Sequence, residues 1–222
     1  MTPLLRANAI ARRIRGWALR WYWERRWVRA DYAPPWIHRD VADEVVAAVD
    51  DGWFVAGGRA LDVGCGEGNI ASWLAARGFH GVGTDISAAA IARARARHGE
   101  IPGRLEYRQH DILAGEPPGG PFEILVDCGC FHTIADRDAS LYARNLASAC
   151  RAGARFLLFV RAFRDGVPIG DAGERARIVG RVETVFSRDF SIDRDAQTDL
   201  GARAGEQSSV SLPGLAFWLT RR

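Results

Sequence analysis

The sequence predicts a doubly wound α/β fold: an open, mostly parallel sheet covered by helices on both faces, with a helical extension in front of it. Three observations carry this expectation. Short apolar runs alternate with amphipathic helical stretches from residue 60 onward. An alternating-glycine turn, Gly64-Cys65-Gly66-Glu67-Gly68, joins the first of these runs directly to a helical pattern. Three successive runs are each followed by a carboxylate, namely Asp85, Asp111 and Asp127.

The chain of 222 residues, 48% hydrophobic, has room for one such domain and an appendage. Residues 1–30 read as a basic, tryptophan-rich helical extension or lid, and residues 31–222 as the domain. Within Pro3 to Arg29 a helix is expected, broken near Gly16, with Ile10, Ile14, Trp17, Trp21 and Val28 on one face and Trp23 and Trp27 on another. It reads first as an amphipathic helix packed on the domain with its arginines snorkelling; the sharper alternatives are a lid over the active site, or an interfacial helix touching an anionic membrane or polyanion. Asp31 to Trp36 must be extended, because Pro34 and Pro35 exclude helix. Asp40 is placed to cap a further helix with Val41, Val45, Val46 and Val49 as its apolar positions.

The first strand is Ala60 to Val63. A helix follows the glycine turn to about Arg77 and stops at Gly78. Gly81 to Ile86 is the second strand, and Ser87 starts a helix that runs to about His98. Leu105 to Gln109 is the third strand, and Phe122 to Val126 the fourth. Asp138 to Cys150 reads as a helix, Ala154 to Val160 as a strongly apolar fifth strand, and Glu174 to Phe186 as another helix. Phe190 to Thr198 and Leu215 to Thr220 complete seven strands. The loop between these last two is too short for a crossover helix, so they should be antiparallel to one another.

Composition excludes several chemistries. All 30 basic residues are arginine, so a lysine Schiff base, a lysine general base and a Walker-type phosphate loop are ruled out. The net charge of +3 is too small to single out a nucleic-acid partner, although residues 6–29 carry eight arginines against one acid, Glu24. Four scattered cysteines without a secretory leader suit a reducing, cytoplasmic setting. No apolar run reaches the ~18 residues of a membrane-spanning helix. Cys128-x-Cys130-x-His132 is spaced too tightly to wrap a tetrahedral ion, so no metal is expected.

In an open parallel sheet the ligand sits outside the carboxyl ends of the strands, where the glycine turn and the strand-end acids face one crevice. Asp85 suits the two hydroxyls of a ribose, or else it caps the helix after it, a role for which Ser87 competes. Asp111 suits the exocyclic amine of adenine, or is a turn acid. A dinucleotide site wants Gly-x-Gly-x-x-Gly. Here the spacing is Gly64-x-Gly66-x-Gly68, with Glu67 inside the turn and Asp62 before it. Two carboxylates repel a pyrophosphate and favour a ligand that carries an ammonium and a sulfonium, so S-adenosylmethionine is expected rather than NAD.

Leu61-Asp62-Val63-Gly64-Cys65-Gly66-Glu67-Gly68 resembles motif I of the class I S-adenosylmethionine-dependent methyltransferases, and His110-Asp111-Ile112 looks like their acid after the third strand. Tyr32-Ala33-Pro34-Pro35-Trp36, Leu125 to His132, and Leu212-Pro213-Gly214 with Ala216 to Leu219 are similar to the thiopurine methyltransferase-like and thiol, halide and heterocycle methyltransferase branch. Ile37-His38-Arg39 and the tryptophan-rich N-terminus depart from that branch. The resemblance implies a Rossmann-like seven-stranded sheet with its last strand antiparallel. It also implies that Asp62, Gly64, Gly66 and Gly68 hold the methionyl portion, Asp85 the ribose, and Asp111 with Ile112 the adenine. Trp36 would lie against the cofactor, and Asp127 and Cys128 would contact it near the transferring methyl. Cys65, Asn69 and Ile86 complete the expected cofactor contacts.

The reaction implied is methyl transfer to a small-molecule acceptor through sulfur, nitrogen or oxygen, aromatic or heterocyclic, in secondary or detoxifying metabolism, with S-adenosylhomocysteine as product. His132 is the expected general base where the acceptor must lose a proton, with Asp127 beside it and His38 a weaker second. RNA or protein methylation through the basic helix, and a relative that binds the cofactor without transferring methyl, such as a cyclase, are the competing readings.

Overall fold

A computed structural model describes residues 16–34, 41–161, 172–200 and 212–222. Seven strands form one sheet: β1 (Arg59–Val63), β2 (His80–Asp85), β3 (Leu105–Gln109), β4 (Phe122–Cys128), β5 (Cys150–Arg161), β6 (Phe190–Asp199) and β7 (Pro213–Arg221). Their order across the sheet is β3-β2-β1-β4-β5-β7-β6. All pairings from β3 to β5 are parallel, while β7 lies antiparallel between β5 and β6. The predicted sheet is therefore the observed one. The order reverses at β1 and β4, and that switch point opens a crevice beyond the carboxyl ends of the strands.

Helices α2 (Asp43–Asp50), α3 (Asn69–Ala76), α4 (Ala88–His98), α5 (Asp136–Ser148) and α6 (Ala172–Phe186) cover the two faces. Because successive side chains of a strand point to opposite faces, the apolar residues of the central strands divide between two cores. Leu61, Val63 and Leu125 pack with Phe131, Tyr142, Leu146 and Phe186 on one side. Ala60, Ile124 and Val126 pack with Val45, Phe54, Leu74 and Trp218 on the other.

Two expectations about elements need correction. Helix α5 ends at Ser148, and β5 already begins at Cys150 rather than Ala154. Its polar first residues read as a loop, yet Cys150 is in register with Phe122, and the Phe122 N–H donates to the Ala149 carbonyl at 2.8 Å. Helix α2 starts at Asp43 with Ala42 as its N-cap and no side-chain cap; Asp40 lies outside the described residues. The described part of the N-terminal helix, α1, covers 16–27. Trp17, Trp21 and Val28 face solvent, while Trp27 is only 4% exposed and Leu19 packs on the core. Leu19, Trp23 and Trp27 recur at helical spacing, and theirs is the inward face.

Candidate functional site

Strand β1 delivers its buried Asp62 to the crevice, and the glycine turn follows at once. Gly64, Gly66 and Gly68 have φ of 68°, 53° and 79°, a left-handed backbone that glycine adopts without strain. A Cβ on Gly64 would meet Cys130 Cβ at 2.8 Å, and one on Gly66 would meet the Trp27 ring at 3.1 Å. A Cβ on Gly68 would fall into the Tyr107 ring, whose hydroxyl donates to the Gly68 carbonyl at 3.0 Å. The space left by each glycine is therefore used by a side chain of the protein itself.

A cavity of about 590 Å³ opens above this turn, within the size range of small-molecule sites. Asp62, Gly64, Cys65, Gly66 and Asn69 line it from β1 and the turn. Asp85 and Ile86 line it after β2, Asp111 and Ile112 after β3, and Cys128 and His132 after β4. Counting outward from the glycine turn thus brings eleven predicted residues to one cavity. Gly68 and Asp127 do not line it, and Trp36 and His38 lie outside the described residues.

The acids are held by backbone N–H groups. Asp62 accepts from Ala71 at 3.1 Å, and burial pushes its carboxyl up to about 7. Asp85 accepts from Gly66 at 3.1 Å and from Ser87 at 2.8 Å; burial pushes it up to about 6. The cap of α4 is Ser87, whose Oγ accepts from the Ala90 N–H at 3.1 Å, so Asp85 is left facing the cavity. Asp111 accepts from Leu113 at 2.9 Å.

Asp127 is different. Its Oδ1 accepts from Gly129 at 2.9 Å and Cys130 at 2.6 Å, and its Oδ2 accepts from Phe131 at 2.8 Å and from the Tyr142 hydroxyl. Fully buried and four times bonded, it shapes the loop after β4 and does not reach the cavity, contrary to the catalytic role expected for it. His132, presented by the 3-10 turn Phe131–Thr133 of that loop, does reach it. Protein surrounds most of the ring, although solvent reaches it through the open cavity. Desolvation, with Arg161 and Arg181 nearby, lowers the imidazole to about 4. An imidazole so lowered is neutral near pH 7, the form a general base needs, but is only weakly basic in the role expected of it.

The argument from two carboxylates also narrows to one. Glu67 pairs with Arg93 at 3.4 Å and Arg97 at 2.5 Å, so its charge is balanced by the protein. Among the described residues Asp62 pairs with no cation and accepts only from the Ala71 N–H, and a cationic group of a ligand would favour its ionised form. The set of acids Asp62, Asp85 and Asp111 round one cavity fits S-adenosylmethionine, which carries an ammonium, two ribose hydroxyls and an adenine amine.

A lid over the site was one sequence reading of α1, but none of its lining residues was named as such in advance. Leu19, Tyr22, Trp23 and Trp27 line the cavity. The Glu24 carboxylate accepts from the Ser87 hydroxyl at 2.7 Å and the Ala89 N–H at 3.2 Å, tying α1 to the first turn of α4. The spacing of Leu19, Trp23 and Trp27 was the available signal. Leu200 and Leu212, at the ends of β6 and β7, join the lining without any local motif to mark them.

Comparison with known proteins agrees with this geometry. Residues 60–153 match a family described as a methyltransferase domain. An uncharacterized methyltransferase of Schizosaccharomyces pombe is 32% identical over 107 residues, covering 48% of this chain and 72% of that one. A 2-heptyl-1-hydroxyquinolin-4(1H)-one methyltransferase of Mycobacteroides abscessus is 28% identical over 128 residues, 57% of this chain and 56% of that one. Among solved structures, magnesium protoporphyrin IX methyltransferase from Synechocystis with bound SAH superposes with a TM-score of 0.61 at 20% identity, covering 81% of each chain. By fold, by motif and by these relatives, the chain belongs to the class I S-adenosylmethionine-dependent methyltransferases.

Proposed function

We propose that the protein transfers the methyl group of S-adenosylmethionine to a small, largely apolar acceptor, aromatic or heterocyclic, that offers sulfur, nitrogen or oxygen as nucleophile. The observation that carries this reading is the composition of the cavity beyond its acids. Leu19, Tyr22 and Trp23 of α1 line it together with Ile134, Leu200 and Leu212. Aromatic faces and branched aliphatic side chains suit a planar apolar guest. The relative that acts on a hydroxyquinolone supports the same class of acceptor. The similarity of Tyr32 to Trp36 and Leu125 to His132 to the thiopurine methyltransferase-like branch supports this reading.

When bound, the cofactor supplies an activated methyl group on a sulfonium. The protein's task is to hold donor and acceptor in line and to exclude water. Asp62 would hold the ammonium, the Gly64 and Gly66 backbone the methionyl portion, Asp85 the ribose, and Asp111 with Ile112 the adenine. Cys128, a cavity-lining thiol that burial pushes up to about 12, stays protonated and would fill space near the transferring methyl. Because His132 is a weak base, the acceptors favoured are those already ionised, or with an available lone pair, near neutral pH.

Calorimetry with S-adenosylmethionine, followed by transfer assays on thiols, N-hydroxy heterocycles, phenols, a peptide and RNA, tests the reading. Turnover is expected on an apolar thiol or acidic heterocycle; turnover confined to RNA or peptide would overturn it. His132→Ala should lower kcat/KM on such an acceptor by less than about tenfold, whereas loss of a working general base costs about 10²–10⁴-fold.

A further inference from the structure

We propose that the outer face of α1 is a docking surface for an anionic lipid bilayer. The inner face of the helix is spent on the domain through Leu19, Trp23 and Trp27. Opposite it, Trp17 is 69%, Trp21 52% and Val28 62% exposed. Trp17 and Trp21 are one turn apart, and Val28 continues their line, so the apolar groups form a stripe. Cations accompany it. Arg20 is exposed, and the Arg25 guanidinium lies over the Trp21 ring at 4.6 Å.

Charge complementarity names the partner. The one acid between residues 6 and 29, Glu24, is turned away and bonded to Ser87 and Ala89. Within α1 the outer face therefore presents positive charge alone; just beyond it the exposed Asp31 is paired with Arg29 at 2.9 Å. Tryptophan prefers the level of lipid headgroups, and arginine pairs with their phosphates. A strand of RNA wants a positively charged groove that follows its backbone. A single convex helix bearing a valine among its tryptophans offers no such groove, whereas an amphipathic helix lying in an interface needs none. Among the described residues no helix is long and apolar enough to cross a membrane, so the contact is one of lying on the surface. Docking does not depend on the acceptor assigned above, but it would set the cavity beside the phase in which an apolar acceptor accumulates.

Co-flotation of the full chain with phosphatidylcholine vesicles, with and without phosphatidylglycerol, tests this. Partition onto the anionic vesicles is expected, weakened about tenfold by high salt or by omission of the anionic lipid. The double variant W17S/W21S should lose about tenfold or more of that partition. Its affinity for S-adenosylhomocysteine and its circular dichroism should match the parent, because neither tryptophan lines the cavity. No partition onto anionic vesicles, or partition that W17S/W21S retains, overturns the proposal. So does RNA binding by anisotropy that is tighter than vesicle binding and is lost in W17S/W21S. Sedimentation showing a lipid-independent dimer that W17S/W21S dissociates would assign the face to a second copy of the chain and also overturn it.

Discussion

Gly68 shows at the scale of one residue how a motif can be legible while its reason is not. Three alternating glycines announce a turn, and the expected purpose was to let a ligand approach the backbone. At Gly68 the vacated space belongs to Tyr107, a fully buried ring on β3 that rests against the turn. A substitution there combines a strained φ with overpacking. Gly68→Ala should cost about 2–3 kcal/mol of stability. Gly78→Ala, at φ 91° with nothing within 4 Å of its Cβ, should cost about 1 kcal/mol of backbone strain alone. Urea denaturation of the two variants checks this, and equal losses would remove the packing role. Sequence carries the spacing of glycines but not the identity of what approaches them, because Tyr107 is 39 positions away. The same limit applies to Asp127, whose place at the end of β4 was read correctly and whose four hydrogen-bond donors lie in a loop and in α5. Which face of α1 is covered was not legible for a related reason: its two apolar faces have comparable spacing, and only the domain decides between them.

At the scale of an element, α1 behaves as a wall of the cavity fastened at defined points. Glu24 grips the first turn of α4, where an anionic oxygen is stabilised by unpaired backbone N–H groups and the helix dipole. Arg93 of α4 reaches back to the carbonyls of Tyr32 at 3.1 Å and of Arg29, holding the segment that leaves α1. Trp27 then lies across Gly66. Removing the carboxylate in Glu24→Ala takes away the grip and leaves the N–H of Ala89 unpaired, a loss of about 1–2 kcal/mol. Opening of α1 should become roughly tenfold more populated, and tryptic cleavage at Arg25, Arg26 and Arg29 faster in proportion. Mass spectrometry of the released peptides measures the rate; an unchanged rate would mean that Trp23 and Trp27 alone hold the helix. The sequence could not show this device. A single glutamate among eight arginines reads as an ordinary helical ion-pair partner, and its actual partners are more than 60 residues away.

For the whole molecule, the doubly wound order sends several carboxylates to one end of the sheet, which is why strands and acids together were readable before any coordinates. Central strands buried on both faces are written as continuous apolar runs, and the crossover rule then leaves little freedom of topology. The polar start of β5, paired only at a bulge, lacked that signature. Gathering acids in a dry crevice has a thermodynamic consequence. Burial pushes Asp62 up to about 7 and Asp85 and Asp127 up to about 6. An acid raised above its unfolded value of roughly 4 binds more protons folded than unfolded, so its contribution falls as pH rises from about 4 through the folded value. His132, lowered to about 4, acts in the opposite direction between about 4 and 6.5, so the pH profile of the parent protein mixes the two. Asp62→Asn isolates the carboxylate: the amide cannot ionise, and its oxygen can still accept from Ala71. Relative to this variant, the cofactor-free parent should lose on the order of 3 kcal/mol of stability between about pH 5 and pH 7.5, with urea unfolding as the measurement. S-adenosylmethionine should reverse much of that loss in the parent and little in the variant, since an ammonium next to Asp62 stabilises the ionised form. A parent-minus-variant difference that is flat with pH would show that Asp62 is already ionised in the empty cavity. The buried acid would then be held by the backbone alone, and a cation would gain nothing from discharging a proton there.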